Sequence, residues 1–316
     1  MPGLDPDVPM SRSLDSPATA AATRDRRRAW WRAMRPHQWS KNLLVFVPAI
    51  AAHRYADATA MLAASAMFVA MGLAASAIYL VNDIADRASD RRHPRKRHRP
   101  FASGELDARG GVVAAAVLLT LAASPAIATL PVAAPLWLAA YVALALGYTF
   151  ALKRRVAVDV AVLAVLYGVR VIAGGAAIGV EVSPWLLALS FALFASLALA
   201  KRYAELSEAQ RTATGRLPGR GYERRHVAPL RAAGLACAVA SALIIALYAA
   251  SVAGSRYYAH AGWLYALAPI VLAWLARVWV RAGDGRMHDD PVVDAATDPW
   301  GLAIAAAGVG VFVAAL

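Results

Sequence analysis

The chain has 316 residues, is 60% apolar, only 17% charged, and carries a formal net charge of +13. That balance excludes an ordinary soluble domain and a disordered chain. One cysteine, Cys237, set in an apolar run, excludes a disulfide framework and reads as a small buried apolar residue.

From the N-terminus, residues 1–29 contain Asp, Pro, Ser, Ala and Arg but no apolar core. They are expected to form a disordered tail and not a signal peptide. The remainder, 30–316, reads as one transmembrane domain. Nine apolar runs are each expected to cross the bilayer as helix, near 42–54, 61–82, 111–129, 131–150, 157–178, 184–203, 229–252, 262–281 and 300–316. Trp30, Trp31 and Trp39 suit an aromatic belt at the interface. The prolines of "SPAIATLPVAAP" predict a tight turn between the third and fourth spans.

Of the 33 Lys and Arg, 30 fall in the tail and in alternate loops, so nine spans put all of them on one side. Arg54 and Arg256 lie in the opposite loops, and Arg170 lies within a span. The positive-inside rule makes the basic side cytoplasmic and places the C-terminus outside. The surplus charge is therefore mostly topological. It predicts contact with membrane lipid headgroups and anionic substrates, not nucleic acid.

The second span ends in "LVNDIADRASDRRHPRKRHRPFASGEL". On a helix Asp83, Asp86 and Asp90 recur at i, i+3 and i+7 on one face, with Asn82 at its edge. Carboxylates at that spacing repel each other, and a divalent cation relieves the repulsion. An all-oxygen donor set suits Mg²⁺ or Mn²⁺, completed by substrate phosphates. The basic residues that follow, Arg95, Lys96, Arg97 and Arg99, are placed to hold the remaining phosphate oxygens. The competing reading is a solvated helix end followed by a topogenic loop.

Asn82-Asp83-x-x-Asp86-x-x-x-Asp90 resembles the NDxxDxxxD motif of the UbiA superfamily of intramembrane prenyltransferases. "RPHQWSKNLLVFVP", "DRRHPRKRHRPFASG", "YTFALKRR", "VRVIAGG", "KRYAEL" and "DDPVVDAATDPWG" resemble one branch of it, the decaprenyl-phosphate phosphoribosyltransferases. The resemblance covers about residues 30–316. It implies an all-α bundle of nine transmembrane helices in the plasma membrane. It also implies a Mg²⁺-diphosphate site facing the cytoplasm and transfer of 5-phosphoribose from PRPP to decaprenyl or another polyprenyl phosphate. Attack opposite an α-configured diphosphate implies a β-linked product, which in that family feeds arabinose donors for cell-envelope polysaccharide.

The resemblance assigns Asn82, Asp83, Asp86 and Asp90 to the metal-diphosphate unit, with Asn82, Asp83 and Asp86 at the catalytic centre. It sets Arg97, Arg99, Tyr148 and Lys153 at the substrate phosphates. Aromatic prenyltransferases of the superfamily carry a second aspartate-rich motif after the sixth span. Here that place reads Lys201-Arg202-Tyr203-Ala204-Glu205. Lys201 and Arg202 are accordingly expected to hold a further phosphate, and Glu205 to position a cation or a ribose hydroxyl.

Lys41 opens the first span and either reaches a phosphate or snorkels to headgroups; the site role is taken, with Gln38 and Asn42 as weaker neighbours. Arg170 lies too deep to snorkel and must face a polar cavity, a carboxylate or a phosphate. "AGG" at 173–175 predicts close helix approach or a break. Arg91, Arg92, His93, Arg95, Arg220, Arg224, Arg225 and His226 read as loop surface, Arg154 and Arg155 as topology, Asp159 as a partner for a nearby cation, and Asp289, Asp290, Asp294 and Asp298 as a solvated loop. Small-residue-rich spans suit a homo-oligomer.

Two other functions compete. One is a prenyltransferase with a prenyl diphosphate donor and an aromatic acceptor, against which the missing second aspartate motif argues. The other is a lipid transporter without chemistry, against which the acidic triad argues.

Overall fold

The structure, a computed structural model, describes residues 17–93, 96–211, 221–251, 257–287, 291, 294 and 297–316. The described residues are helical throughout, joined by turns. In chain order the α-helices are α1 (Pro17–Met34), α2 (Val47–Ala51), α3 (Ala58–Ala85), α4 (Arg87–Asp90), α5 (Pro100–Ser103), α6 (Ala108–Thr129), α7 (Ala133–Phe150), α8 (Val158–Ile178), α9 (Pro184–Arg211), α10 (Val227–Ala250), α11 (Leu264–Asp284) and α12 (Pro299–Ala315). Asp57, Asp107 and Asp298 begin α3, α6 and α12, each accepting a bond from a backbone N–H three residues on. That is the geometry of an N-cap.

Helices at all nine expected spans are present. Seven are long and apolar enough to cross a bilayer by length and composition, and α12 is a shorter apolar helix of 17 residues. The first span departs from expectation in kind. Pro36–Phe46 is a 3₁₀ helix running directly into α2. Because 3₁₀ helix rises about 2.0 Å per residue, these two segments together extend about 30 Å, the thickness of a hydrocarbon core.

The composition-based boundary at residue 30 falls inside α1, whose Ala29 and Ala33 pack with Leu80, Phe101 and Leu106. Trp30 and Met34 pack beside them, so the helix docks through a short apolar stripe at its C-terminal end.

Helix α8 is common to two cores. Toward Gly179 its Leu166, Val169 and Ala173 pack with Val45, Met67, Met71 and Leu138 of the first span, α3 and α7. Near its start, Val160 and Ala164 pack with Phe194, Leu197, Leu230 and Trp279 of α9, α10 and α11. Gly174 permits the closest of these contacts: a Cβ there would lie 2.1 Å from the Val45 carbonyl oxygen. Close approach is thus what the "AGG" stretch provides, and α8 runs unbroken through it. Outward-facing Leu62, Val113, Leu121, Ile127, Leu136, Val239 and Val313 stay exposed around the bundle. An apolar belt of this kind is stable only against lipid.

Candidate active site

The long helix α3 delivers Asn82 and Asp83 to one end of the bundle. The helical path is interrupted at Asp86 (φ −88°, ψ 0°) and resumes as α4, which ends in Asp90. The Asp86 N–H still reaches the Asn82 carbonyl (2.9 Å) and the Asp90 N–H the Asp86 carbonyl (2.9 Å), so the four side chains stay at one end. They do not converge on one point, because basic side chains divide them into two pairs. Lys153 Nζ lies 2.8 Å from both oxygens of Asp86 and 3.3 Å from Asn82 Oδ1. Arg99 Nη1 lies 3.1 Å from Asp83 Oδ1 and 2.8 Å from Asp90 Oδ2. Asp83 and Asp90 are buried, while Asp86 stays partly open.

A third cation, which the sequence reading missed, completes this cluster. Arg35 Nη2 sits 2.7 Å from each oxygen of Asp83, and its guanidinium stacks over Tyr79 at 5.1 Å. The local chain explains its position. Trp39 packs its ring on Gly72, leaving no room for a Cβ, and donates to Ser76 Oγ, which donates to the Met34 carbonyl. Trp39 is thus pinned to α3. Between these anchors Arg35 adopts a left-handed conformation (φ 51°, ψ 54°) directly before Pro36. Such backbone costs about 1–3 kcal/mol. The charged contact to Asp83 offsets that cost. In sequence the sole trace of this role is the place of Arg35 at the head of "RPHQWSKN".

A second network lies at the neighbouring ends of α7, α8 and α9. Asp159, fully buried, receives Arg202 Nε at 2.6 Å and Nη2 at 3.1 Å, and the Tyr148 hydroxyl at 3.1 Å. Arg202 also reaches Tyr148 and Glu205. The Tyr222 hydroxyl accepts from the Ala157 N–H at 3.3 Å. Burial first, then the nearby Asp159 charge, push that hydroxyl up to about 12, so it keeps its proton at neutral pH. Arg202 is therefore enclosed (1% exposed) between two carboxylates and does not face an open phosphate pocket. The local motif "KRYAE" holds no hint of this, because Asp159 comes from 43 residues earlier. Lys201 is half-buried beside it.

The other expected residues divide. Arg99 and Lys153 join the acidic cluster. Arg97 is exposed and contacts His98 at 3.2 Å, away from that cluster. Lys41 lies partly exposed in the 3₁₀ segment of the first span, next to the buried Asn42. Arg170 is buried and bonds to Asn42, Tyr141 and the Leu166 carbonyl, none of them a carboxylate. Arg95, Arg220, Asp289 and Asp290 lie outside the described residues. Asp294 and Asp298 are not a solvated loop: both are buried. Arg281 holds Asp294 at 2.7 and 2.8 Å, and Arg277 holds Asp298 at 2.9 Å through two nitrogens. The cations that bury them come from α11, beyond the reach of a local reading.

The donor chemistry around Asn82–Asp90 fits Mg²⁺. No group of three or more His, Cys, Asp or Glu side chains converges among the described residues. Mg²⁺, however, usually takes one or two carboxylates and completes its shell with water and substrate phosphate. The Lys153 ammonium marks one point where Asn82 and Asp86 already share a positive charge, and Arg99 Nη1 marks another between Asp83 and Asp90.

Fold and site together define a multi-pass helical bundle of the membrane, with carboxylates and cations interleaved at one end. Residues 43–291 match the UbiA prenyltransferase family, and the chain belongs to it. Among relatives, it is 37% identical over 289 residues to an uncharacterized protein, y4nM, of Sinorhizobium fredii, covering 91% of this chain but 56% of that protein's length. It is 36% identical to nodulation protein NoeC of Azorhizobium caulinodans, covering 84% and 86% of the two chains. Decaprenyl-phosphate phosphoribosyltransferase of Mycolicibacterium smegmatis is 41% identical over 57% of this chain and 58% of its own. A UbiA homolog from Archaeoglobus fulgidus bound to GPP and Mg²⁺ shares the fold, with TM-score 0.64 at 15% identity over 91% of this chain and 99% of that one.

Proposed function

We propose that this transferase moves 5-phosphoribose from PRPP to the phosphate of a polyprenyl phosphate, releasing diphosphate, at the cytoplasmic face of the plasma membrane. The carrying observation is the state of the second half of the site. Arg202 pairs with both Asp159 and Glu205, so the carboxylates there are already committed to a cation. That pairing argues against a second metal-diphosphate platform of the kind the aromatic prenyltransferases carry. Lys153, Arg35 and Arg99 instead interleave with Asp83, Asp86 and Asp90, so that phosphate oxygens bound there would meet cations, which suits a donor phosphorylated at both ends. The likeness to decaprenyl-phosphate phosphoribosyltransferases supports the same choice.

The chemistry needs little beyond charge and alignment. A phosphate oxygen of the acceptor attacks C1 of the ribose, the C1–O bond to diphosphate breaks, and the electron pair leaves with diphosphate. The nucleophile is already ionised at neutral pH, so no side chain has to remove a proton. Asn82, Asp83, Asp86 and Asp90 are the residues that would hold Mg²⁺, which neutralises the departing diphosphate. Binding of the donor requires Lys153 and Arg99 to move from carboxylate to phosphate oxygens, exchanging one anionic partner for another. Arg35 keeps Asp83 oriented from behind. The buried Tyr148–Asp159–Arg202 network holds the ends of α7, α8 and α9 together, so that Lys153 and Lys201 flank the donor.

The test is transfer of label from PRPP into chloroform-soluble lipid by the purified protein supplied with polyprenyl phosphates, with and without EDTA. Metal-dependent label in lipid supports the proposal. Transfer from a prenyl diphosphate to an aromatic acceptor, with none from PRPP, overturns it.

A further inference from the structure

Among the described residues, seven charged side chains are buried: Asp83, Asp90, Asp159, Arg170, Arg202, Asp294 and Asp298. Six of them sit in ion pairs. Arg170 is the exception. It lies about 18 Å along α8 from Val158, 6% exposed, and every partner it has is uncharged. Nε donates to Asn42 Oδ1 at 2.9 Å, Nη1 to the Leu166 carbonyl at 2.6 Å and Nη2 to the Tyr141 hydroxyl at 3.0 Å. The rings of Tyr141 and Tyr167 cover its faces at 4.7 and 5.3 Å.

A second anomaly sits at the same point. Asn42 is fully buried, and its Nδ2 has no hydrogen-bond partner. Its Oδ1 is taken by Arg170, so the amide is turned with two donors into the interior. A buried cation without an anion and a buried donor without an acceptor are both costly. One anionic acceptor resolves both. The Tyr141 hydroxyl accepts from Arg170 and so keeps its own proton to donate.

We propose that Arg170, Asn42 and Tyr141 form a seat for the phosphate monoester head of the polyisoprenoid acceptor, separate from the donor site at the aspartate motif. This rests on the transfer reading given above. The seat lies deeper than the motif. Tyr141 is two helical turns, about 10 Å, below Tyr148 on α7. On the first span, Asn42 lies well inside the bundle, fully buried. A polyprenyl chain reaches this depth from the bilayer, whereas a water-soluble phosphate would have to pass the paired carboxylates and cations at the mouth. Holding the two anionic substrates on separate cations also removes their mutual repulsion before attack.

The test measures equilibrium binding to the full chain in neutral phosphatidylcholine nanodiscs, without PRPP or metal. The probes are a polyprenyl phosphate, the matching polyprenol, phosphatidic acid and inorganic phosphate. The wild type is expected to prefer polyprenyl phosphate to polyprenol by about tenfold or more, with phosphatidic acid and inorganic phosphate competing poorly. Asn42→Asp supplies Arg170 with an internal carboxylate. It should raise the thermal midpoint, abolish the preference for phosphate and leave polyprenol binding unchanged. Arg170→Met should lose the same preference; if it fails to fold, Asn42→Asp and Asn42→Ala carry the test. An unchanged preference in the folded Asn42 variants overturns the seat. So does equal binding of phosphate and alcohol by the wild type, or equal competition by phosphatidic acid or inorganic phosphate. Normal transfer by Asn42→Asp removes the seat and leaves the transfer reading standing. Phosphate-dependent lipid binding through Arg170 without any transfer from PRPP does the reverse.

Discussion

Arg35 Nη2 grips Asp83 symmetrically, 2.7 Å from each carboxylate oxygen, from a backbone position that is itself strained. Asp83 is buried and needs a cation whether or not a donor is bound. Arg35→Gln is therefore expected to lower kcat/KM for PRPP by about 10- to 100-fold, in the range for loss of a partner that orients a metal-holding side chain. Arg35→Lys should recover only part, since one ammonium lacks the planar guanidinium that lies over Tyr79. Steady-state transfer kinetics check this, and wild-type values in Arg35→Gln would show the contact to be dispensable.

Asp86 and Lys153 predict a different signature. The carboxylate is partly open and the lysine must change partner when the donor binds. Lys153→Met should raise the KM for PRPP more than it lowers kcat, and its effect should shrink as salt rises. Asp86→Asn and Asp83→Asn should each reduce turnover by at least about 100-fold, as expected when charge stabilisation at the leaving group is lost. Titration of Mg²⁺ against turnover separates the two effects.

The Asp159–Arg202 pair is fully enclosed, and without Asp159 the buried guanidinium keeps Glu205 as its one carboxylate partner. Asp159→Asn is expected to cost stability, up to about the 3–5 kcal/mol of a broken buried pair. The double variant Asp159→Leu with Arg202→Met should recover much of that, because an apolar pair of similar volume is tolerated. Thermal unfolding in detergent with a double-mutant cycle measures both. Full stability in Asp159→Asn would mean that the network is not a structural tie.

Asp298 gives the protein an acid-sensitive joint. Arg277 first, and the Gly301 N–H next among the favourable contacts, pull its carboxyl down to about 2. A lowered carboxyl contributes stability that is present above its unfolded value of about 4 and is lost as pH falls toward 2. The melting temperature should therefore hold between neutral pH and about 5 and decline below about 4. Asn at 298 should remove part of that decline, as seen in melting curves at stepped pH.

Gly174 fixes the approach of the first span to α8. Even Gly174→Ala sets a methyl 2.1 Å from the Val45 carbonyl oxygen, so backbone has to move. Loss of several degrees in melting temperature is expected, on the scale of about 1–3 kcal/mol for overpacking. It should come with weaker activity, because the displaced span also carries Lys41 and Asn42.

The architecture was legible in the chain because it follows from periodicity and charge. Apolar runs of bilayer length, separated by loops that are alternately basic and neutral, leave little choice but a helical bundle with its polar chemistry at one end. The acidic motif was legible only as a cluster: Asn82, Asp83, Asp86 and Asp90 do gather at one end of the bundle, but the helix is interrupted at Asp86 and basic side chains divide the four into two pairs. Partnership was not. Asp83 faces Arg35 across 48 residues, Asp86 faces Lys153 across 67, and Arg170 faces Asn42 across 128. No local pattern encodes which cation meets which carboxylate; the packing of α3, α7, α8 and the first span decides it. That is why Arg202, which sequence set at a phosphate, turned inward to Asp159. It is also why Asp294 and Asp298, which look like a wet loop, are buried. In a low-dielectric interior every charge must find a partner, and only the tertiary arrangement determines which one is near enough.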